Sequence, residues 1–197
     1  MMKITAIYGS PRRNGNTARL LQSAVAGARS VGADVTEIVL RDLKLQPCLE
    51  IYACQKDGRC AIKDDFHGLA ERLLSAQATI LASPIFFYAV SAHVKAMMDR
   101  CQSLWVKKYR LEKKSYTRLD NHKPGLFLTV GATHGRRLFE GAEMSVKYFF
   151  DTFDTSLWRT LAYRGLDGAD DILKHPEYLA EARQAGVELV EMGQFNR

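Results

Sequence analysis

Five short apolar runs alternate with stretches of helical periodicity, and that alternation restricts the fold more than any other feature of the chain. Residues 3–8 (KITAIY) are almost wholly apolar and stop at Gly9-Ser10-Pro11, the profile of a strand buried on both faces of a parallel sheet. Residues 17–29 follow with Leu20, Leu21, Ala24, Val25 and Ala28 at helical spacing. The pattern recurs, with strands predicted over 34–40, 78–82, 125–130 and 156–163. Helices are predicted over 66–76, 91 to about 105, 138–153 and 176–192. Such alternation predicts one doubly wound α/β domain over residues 1–197, a five-stranded parallel sheet with helices on both faces. Right-handed crossovers place every strand's C-terminal end on one edge, where such folds bind ligands at the reversal of strand order. The loops after strands one, three and four are therefore expected to act together.

Other organisations are excluded on composition. Residues 73–94 carry no formal charge and are long enough to span a bilayer. Ser83-Pro84 near their middle would break a helix, and Ser75, Gln77, Tyr88, Ser91 and His93 also interrupt the stretch, so it reads as strand, loop and helix start. Charge follows the N-terminus within a few residues, unlike a signal peptide. The four cysteines then point to a reducing cytoplasm, with free thiols or a metal site. The net charge of +6 is concentrated between Lys107 and Lys123, where Lys107, Lys108, Arg110, Lys113, Lys114, Arg118 and Lys123 face only Glu112 and Asp120. With Tyr109 and Tyr116 inside it, this segment is compatible with a nucleic acid, a phosphorylated ligand or a solvated connection. No nucleic-acid module accompanies it, so no nucleic-acid partner is expected.

The first loop, GSPRRNGNT at 9–17, sets Ser10, Thr17, Asn14, Asn16, Gly15, Arg12 and Arg13 directly before a helix. A phosphate monoester needs donors converging from several sides, and a helix N-terminus supplies backbone N–H groups and a favourable dipole. A turn with an N-cap would use some of the same residues, but not the density of donors or the arginines. The loop lacks the Gly-Lys-Ser/Thr ending of a Walker motif and the G-x-G-x-x-G of dinucleotide folds. The second loop, SPIFFYAVS at 83–91, puts Phe86, Phe87 and Tyr88 in sequence behind Pro84, either a wall for a flat ring or core filling. In the third, TVGATHG at 129–135, Gly131 and Gly135 allow close backbone approach, and Thr133 and His134 offer polar contacts.

Taken together, GSPRRNGNT at 9–17, ASPIFFYAVSAHVKAMMDR at 82–100 and KPGLFLTVGATHG at 123–135 resemble the NADPH-dependent FMN reductase family of flavodoxin-like flavoproteins. The resemblance implies FMN as cofactor, with Ser10, Arg12, Asn14, Asn16 and Thr17 on its phosphate. It implies Pro84, Ile85, Phe86, Phe87 and Tyr88 along the ribityl chain and one side of the isoalloxazine, with Thr133, His134 and Gly135 approaching from the third loop. Lys95 and the Asp99-Arg100 pair fall on the family's following helix, where they would organise the helix and a subunit contact.

The loop PCLEIYACQKDGRCAIKDD at 47–65 resembles that of the iron–sulfur flavoprotein branch, where C-x2-C-x2-C and a fourth cysteine hold a [4Fe–4S] cluster. Cys48, Cys54 and Cys60 match the first, third and fourth positions, and Ile51 stands at the second, where it cannot ligate iron. Zinc held by these thiols and His67 would lack the short chelating spacing. Three thiolates holding a labile cluster with an open iron are the minor alternative. Unmetallated cysteines in a loop that covers the flavin or a partner subunit are the expectation, with Cys101 a buried thiol.

By the same resemblance the chain is an NAD(P)H oxidoreductase in the cytoplasm. Hydride would pass from NAD(P)H to FMN and electrons onward to a small acceptor such as a free flavin or a quinone. The alternative is an electron-transfer flavoprotein without NAD(P)H turnover. No catalytic Ser-His-Asp set is required, and none is evident. A homodimer or homotetramer is implied, with Trp105, Met97, Met98 and the cysteine loop as candidate interface elements. No membrane partner is expected. The basic segment is then a solvated crossover, one or two of whose cations could meet an NADPH 2′-phosphate.

Overall fold

Apolar runs too short to be helices pair into a sheet because each can bury both faces only between helical layers. The computed structural model describes residues 1–114 and 123–195. Strands β1 (Lys3–Tyr8), β2 (Asp34–Val39), β3 (Ala78–Pro84), β4 (Lys123–Gly131) and β5 (Thr155–Arg164) form one parallel sheet in the order β2-β1-β3-β4-β5. That is the flavodoxin-like order, and its reversal falls between β1 and β3. Helices α1 (Asn16–Ser30) and α7 (Pro176–Phe195) lie on one face; α3 (Phe66–Ser75), α4 (Ala92–Arg100) and α6 (Glu140–Asp151) lie on the other. The expected fold class, with helices on both faces, is therefore observed.

Alternation along each strand divides the core between the two faces. Ile4, Ala6 and Tyr8 of β1 face α1 and α7, while Ile7 faces α3 and α4. Gly27 and Gly186 let α1 and α7 approach closely. A Cβ on Gly27 would stand 2.0 Å from the Arg183 carbonyl oxygen, and one on Gly186 at the same distance from that of Ala24.

The predicted boundaries shift where tertiary contacts extend the ladder. β3 continues to Pro84, which pairs with Val130, and β4 begins at Lys123 rather than 125. The single helix predicted from residue 91 is divided into α4, α5 (Gln102–Trp105) and a π-helical turn, Val106–Leu111.

That turn corrects the expectation of a merely solvated basic segment. Lys108 is 4% exposed, and its ammonium donates to the Asp151 carbonyl at 2.5 Å and pairs with the Asp151 and Asp154 carboxylates at 3.1 Å each. Burial alone would lower its pKa, but its hydrogen bonds to Tyr109, Asp151 and Asp154 outweigh it and hold the group above its ordinary value. Lys114 reaches Glu112 and Asp154, Lys123 donates to the Leu74 carbonyl, and Arg110 lies over Trp105. These groups sit at the N-terminal edge of the sheet, opposite the ligand edge. Tyr116, Arg118 and Asp120 lie outside the described residues.

Arg100 organises the loop between β2 and α3. Its fully buried guanidinium makes a two-pronged contact with Asp64 (2.7 and 3.0 Å), donates to the carbonyls of Gln46 and Ile62 and to Cys60 Sγ, and covers the Phe66 ring. Asp64 also accepts from the N–H groups of Gln46 and Phe66. Lys95, by contrast, makes only an exposed pair with Asp99 one turn away.

Burial works to raise the Asp64 pKa, but the Arg100 and backbone donors prevail and hold it below its ordinary value. The stability it contributes is therefore complete above about pH 4 and is lost as pH falls through the lower folded value. Arg100→Met, which strands a buried carboxylate, is expected to cost about 3 kcal/mol or more in urea unfolding at pH 7. Asp64→Asn should flatten the loss of stability below pH 4; an unchanged acid limb would refute this role.

Candidate functional site

The loops after β1 and β3 are locked together at the strand-order reversal. Gly9 N–H donates to the Ala82 carbonyl at 2.8 Å, and the Ser91 hydroxyl donates back to the Gly9 carbonyl at 2.5 Å. Ser91 also caps α4 by accepting from Val94 N–H, and its own N–H donates to the Ser83 hydroxyl. Position 9 must be glycine, since a Cβ there would stand 2.2 Å from Val94 Cγ2 and 2.7 Å from the Ala82 oxygen.

Above this join, Ser10 is buried and its hydroxyl accepts from Arg12 N–H. Gly15 precedes α1 in an extended conformation, with no side chain capping the helix and no acid in its first turn. The free N–H groups of that turn face the edge as an anion site. Thr17 is buried at the same turn. Arg12 and Asn14 lie exposed on the rim, and the Arg12 guanidinium reaches the Asp167 carbonyl at 3.5 Å. Arg13 turns away to pair with Asp42. Asn16 is engaged elsewhere. Its amide donates to Gly168 O at 2.8 Å and accepts from Ile172 N–H at 3.1 Å, tying α1 to the loop after β5.

A cleft of about 130 Å³ joins these groups, lined by Ser10, Arg12, Gly15, Asn16 and Thr17, by Pro84, Ile85 and Phe86, by Val130, Gly131 and Ala132, and by Leu166 and Asp167. Seven of the residues expected from sequence thus meet in it along with Gly15: Ser10, Arg12, Asn16, Thr17, Pro84, Ile85 and Phe86. Leu166 and Asp167 were missed, although the Gly165-Leu166-Asp167-Gly168 turn after strand five was a readable signal for a fourth loop at the same edge.

The remaining expected residues surround the cleft rather than line it. Phe86 and Ala89 exchange backbone hydrogen bonds around Phe87 and Tyr88, which hold φ of 50° and 62°. Two positive φ values are those of a type I′ turn, a conformation strained for bulky side chains. Phe87 stands fully exposed at its tip. Tyr88 leans over Gly135, where a Cβ would come within 2.9 Å of its hydroxyl. Thr133 and His134 are exposed, and the His134 ring lies against Gly165.

The cysteine loop lacks the fourth thiol of the four-cysteine cluster pattern. Cys48, Cys54 and Cys60 are half-buried free thiols, and Ile51 is exposed at the position of the missing ligand. Burial pushes the Cys54 thiol up, and the neighbouring Cys60 and Cys48 add to it. Among the described residues no three His, Cys, Asp or Glu side chains converge to hold a metal ion, and none of the helices is long and apolar enough to cross a membrane. Cys101 is fully buried, which raises its pKa.

Strand order, an uncapped helix N-terminus after β1 and a cleft at the reversal point define a flavodoxin-like ligand-binding protein. Residues 2–151 match the family model of NADPH-dependent FMN reductases, and the chain belongs to that family. The family is one of flavoproteins, and membership implies FMN as cofactor. The chain is similar to an iron–sulfur flavoprotein of Methanocaldococcus jannaschii, at 38% identity over 52% of this chain and 53% of that one. It thus spans about half the length of that relative. In three dimensions it is similar to an NAD(P)H:quinone oxidoreductase from Methanothermobacter marburgensis (TM-score 0.70, 18% identity, 95% of this chain and 96% of that one). It is also similar to a flavodoxin from the domain Archaea (TM-score 0.59, 17% identity, 98% and 99%). At such identities these two likenesses concern the fold alone.

Ser91→Ala would leave the Gly9 carbonyl and the α4 N-terminus without their partner. It is expected to cost about 1–2 kcal/mol in chemical denaturation and to weaken flavin binding through the displaced first loop. A variant as stable as the parent would show that the join is not needed.

Proposed function

We propose that the chain is an NAD(P)H-dependent oxidoreductase that passes reducing equivalents from NAD(P)H through FMN to a small acceptor such as a free flavin or a quinone. The observation that carries this reading is the uncapped start of α1 beside the Ser10 and Thr17 hydroxyls, open at the strand-order reversal. An FMN phosphate fits that donor set: backbone N–H groups and hydroxyls converge on it, and Arg12 and Asn14 approach from the rim.

When bound, FMN supplies the hydride-accepting and electron-donating chemistry; the chain's residues position and shield it. The cleft is smaller than the roughly 300–1,000 Å³ of sites that enclose a whole ligand. Ser10, Thr17, Pro84, Ile85 and Phe86 would hold the phosphate and ribityl end, and the Phe87–Tyr88 turn with Thr133, His134 and Gly135 would hold the ring. Asn16 acts indirectly, by holding the Gly168–Ile172 segment against α1. Phe87, bare and strained at the tip of its turn, suits a contact completed by a ring or by a second subunit of a homodimer or homotetramer. The basic segment lies at the opposite edge, so Lys113 and Lys114 would not meet an NADPH 2′-phosphate bound at the ligand edge of the same chain. A cytoplasmic location accords with the four unpaired thiols.

Protein reconstituted with FMN should be yellow, bleach anaerobically with NADPH or NADH, and recover its colour on adding a quinone. A chain that FMN cannot reconstitute would sink the proposal. The double change Ser10→Ala with Thr17→Ala is expected to weaken FMN binding tenfold or more, in line with loss of two hydrogen bonds to a charged group. Asn16→Ala should instead lower unfolding stability by about 1–3 kcal/mol, by stranding the Gly168 and Ile172 backbone groups.

A further inference from the structure

A second cleft lies away from the ligand edge and shares no residue with the cleft above. It measures about 680 Å³ and runs between α3 and α5 beneath the cysteine loop. Its floor is apolar, made by Phe66, Ala70, Leu74 and Leu104. Four cations, Lys56, Arg59, Lys63 and Lys107, stand around it, and among the described residues none of them has an ion-pair partner. Two carboxylates, Asp57 and Glu71, oppose them, and Asp57 is occupied in accepting the Arg59 backbone N–H.

The walls are held in place. Gly58, at φ 74°, lies directly against the Lys107 stem, where a Cβ would stand 2.6 Å from Lys107 Cβ. The Cys60 side of the loop is pinned by the buried Arg100. An apolar floor under an excess of unpaired positive charge is complementary to one kind of occupant. We propose that this cleft binds a small organic anion with an apolar body, at a second site separate from that of the flavin. Its volume suits a drug-sized molecule. The apolar frame would cover the α3–α5 floor, and the anionic group would face Arg59 and Lys107. The ligand would bind and dissociate without covalent chemistry, so no oxidant or reductant is involved.

The test uses 8-anilinonaphthalene-1-sulfonate as the probe, with calorimetry on the FMN-saturated chain so that the flavin cleft is already filled. One probe per chain is expected, with affinity falling as salt is raised. Arg59→Glu and Lys107→Glu should each weaken binding at least fivefold, and Lys147→Glu on the remote α6 should not. The bound probe should also slow alkylation of Cys60 by N-ethylmaleimide, read by mass spectrometry, while leaving Cys48 unprotected. Absence of binding, an affinity in the two cleft variants unchanged from that of the parent, or equal protection of both thiols would each overturn the proposal. Matched circular-dichroism melts of the variants separate lost charge from lost fold. If the chain takes up no FMN, the same titration on the chain as isolated still decides this site, and displacement of the probe by added FMN would overturn it.

Discussion

The hydrogen bond from Gly9 N–H to the Ala82 carbonyl, returned by the Ser91 hydroxyl to the Gly9 carbonyl, is the contact on which the ligand edge depends. It closes the gap where β1 and β3 send their chains to opposite sides. Parallel strands cannot be joined by a tight hairpin, so their terminal loops would otherwise diverge above the sheet. Ser91 holds three groups at once: Gly9, Ser83 through its own N–H, and the first turn of α4. The donor-rich loop and the aromatic turn are thereby two parts of one rigid floor. The hydroxyl is buried, so water cannot replace it.

A second anchor, independent of the first, governs the far side of the molecule. Arg100 brings a full charge into the core, and the structure tolerates it because five acceptors and the Phe66 face surround the guanidinium. Through it the long connection of 43–65, which contains only the short helix Cys54–Asp57 (α2), takes a defined path over α3 and α4. That path leaves three thiols near one another and opens the cationic cleft beside them. The Lys108 cluster plays a comparable part at the N-terminal edge, turning formal positive charge inward as a tie between the π-helical turn and the end of α6.

Much of the site was legible where chemistry and position coincide. The loop 9–17 reads as a phosphate cradle because serine, threonine, glycine and arginine before a helix answer one electrostatic demand, and the cleft contains Ser10, Arg12 and Thr17. Asn16 shows the limit of that reasoning. An amide suits an anion and a backbone bridge equally well, and only the approach of residues 168–172 decides between them. Phe87 shows another. Three successive aromatics suggest burial, yet the type I′ turn points the middle one into solvent, because a two-residue turn cannot direct all three side chains inward.

By itself the sequence determined the layers, the parallel sheet and the edge at which a ligand must bind, since these follow from the period of apolar residues and the handedness of the crossovers. Only the tertiary structure decided which polar groups remain free. Lys108, Asn16 and Arg100 look like exposed donors in the chain, but contacts 36 to 156 residues away satisfy them. Conversely, Lys56, Arg59, Lys63 and Lys107 read as ordinary surface charge until the fold gathers them around one apolar floor. The reason is physical: local periodicity specifies which face of an element is buried, whereas pairing of charges and hydrogen-bonding groups depends on distances that exist only after the elements have packed.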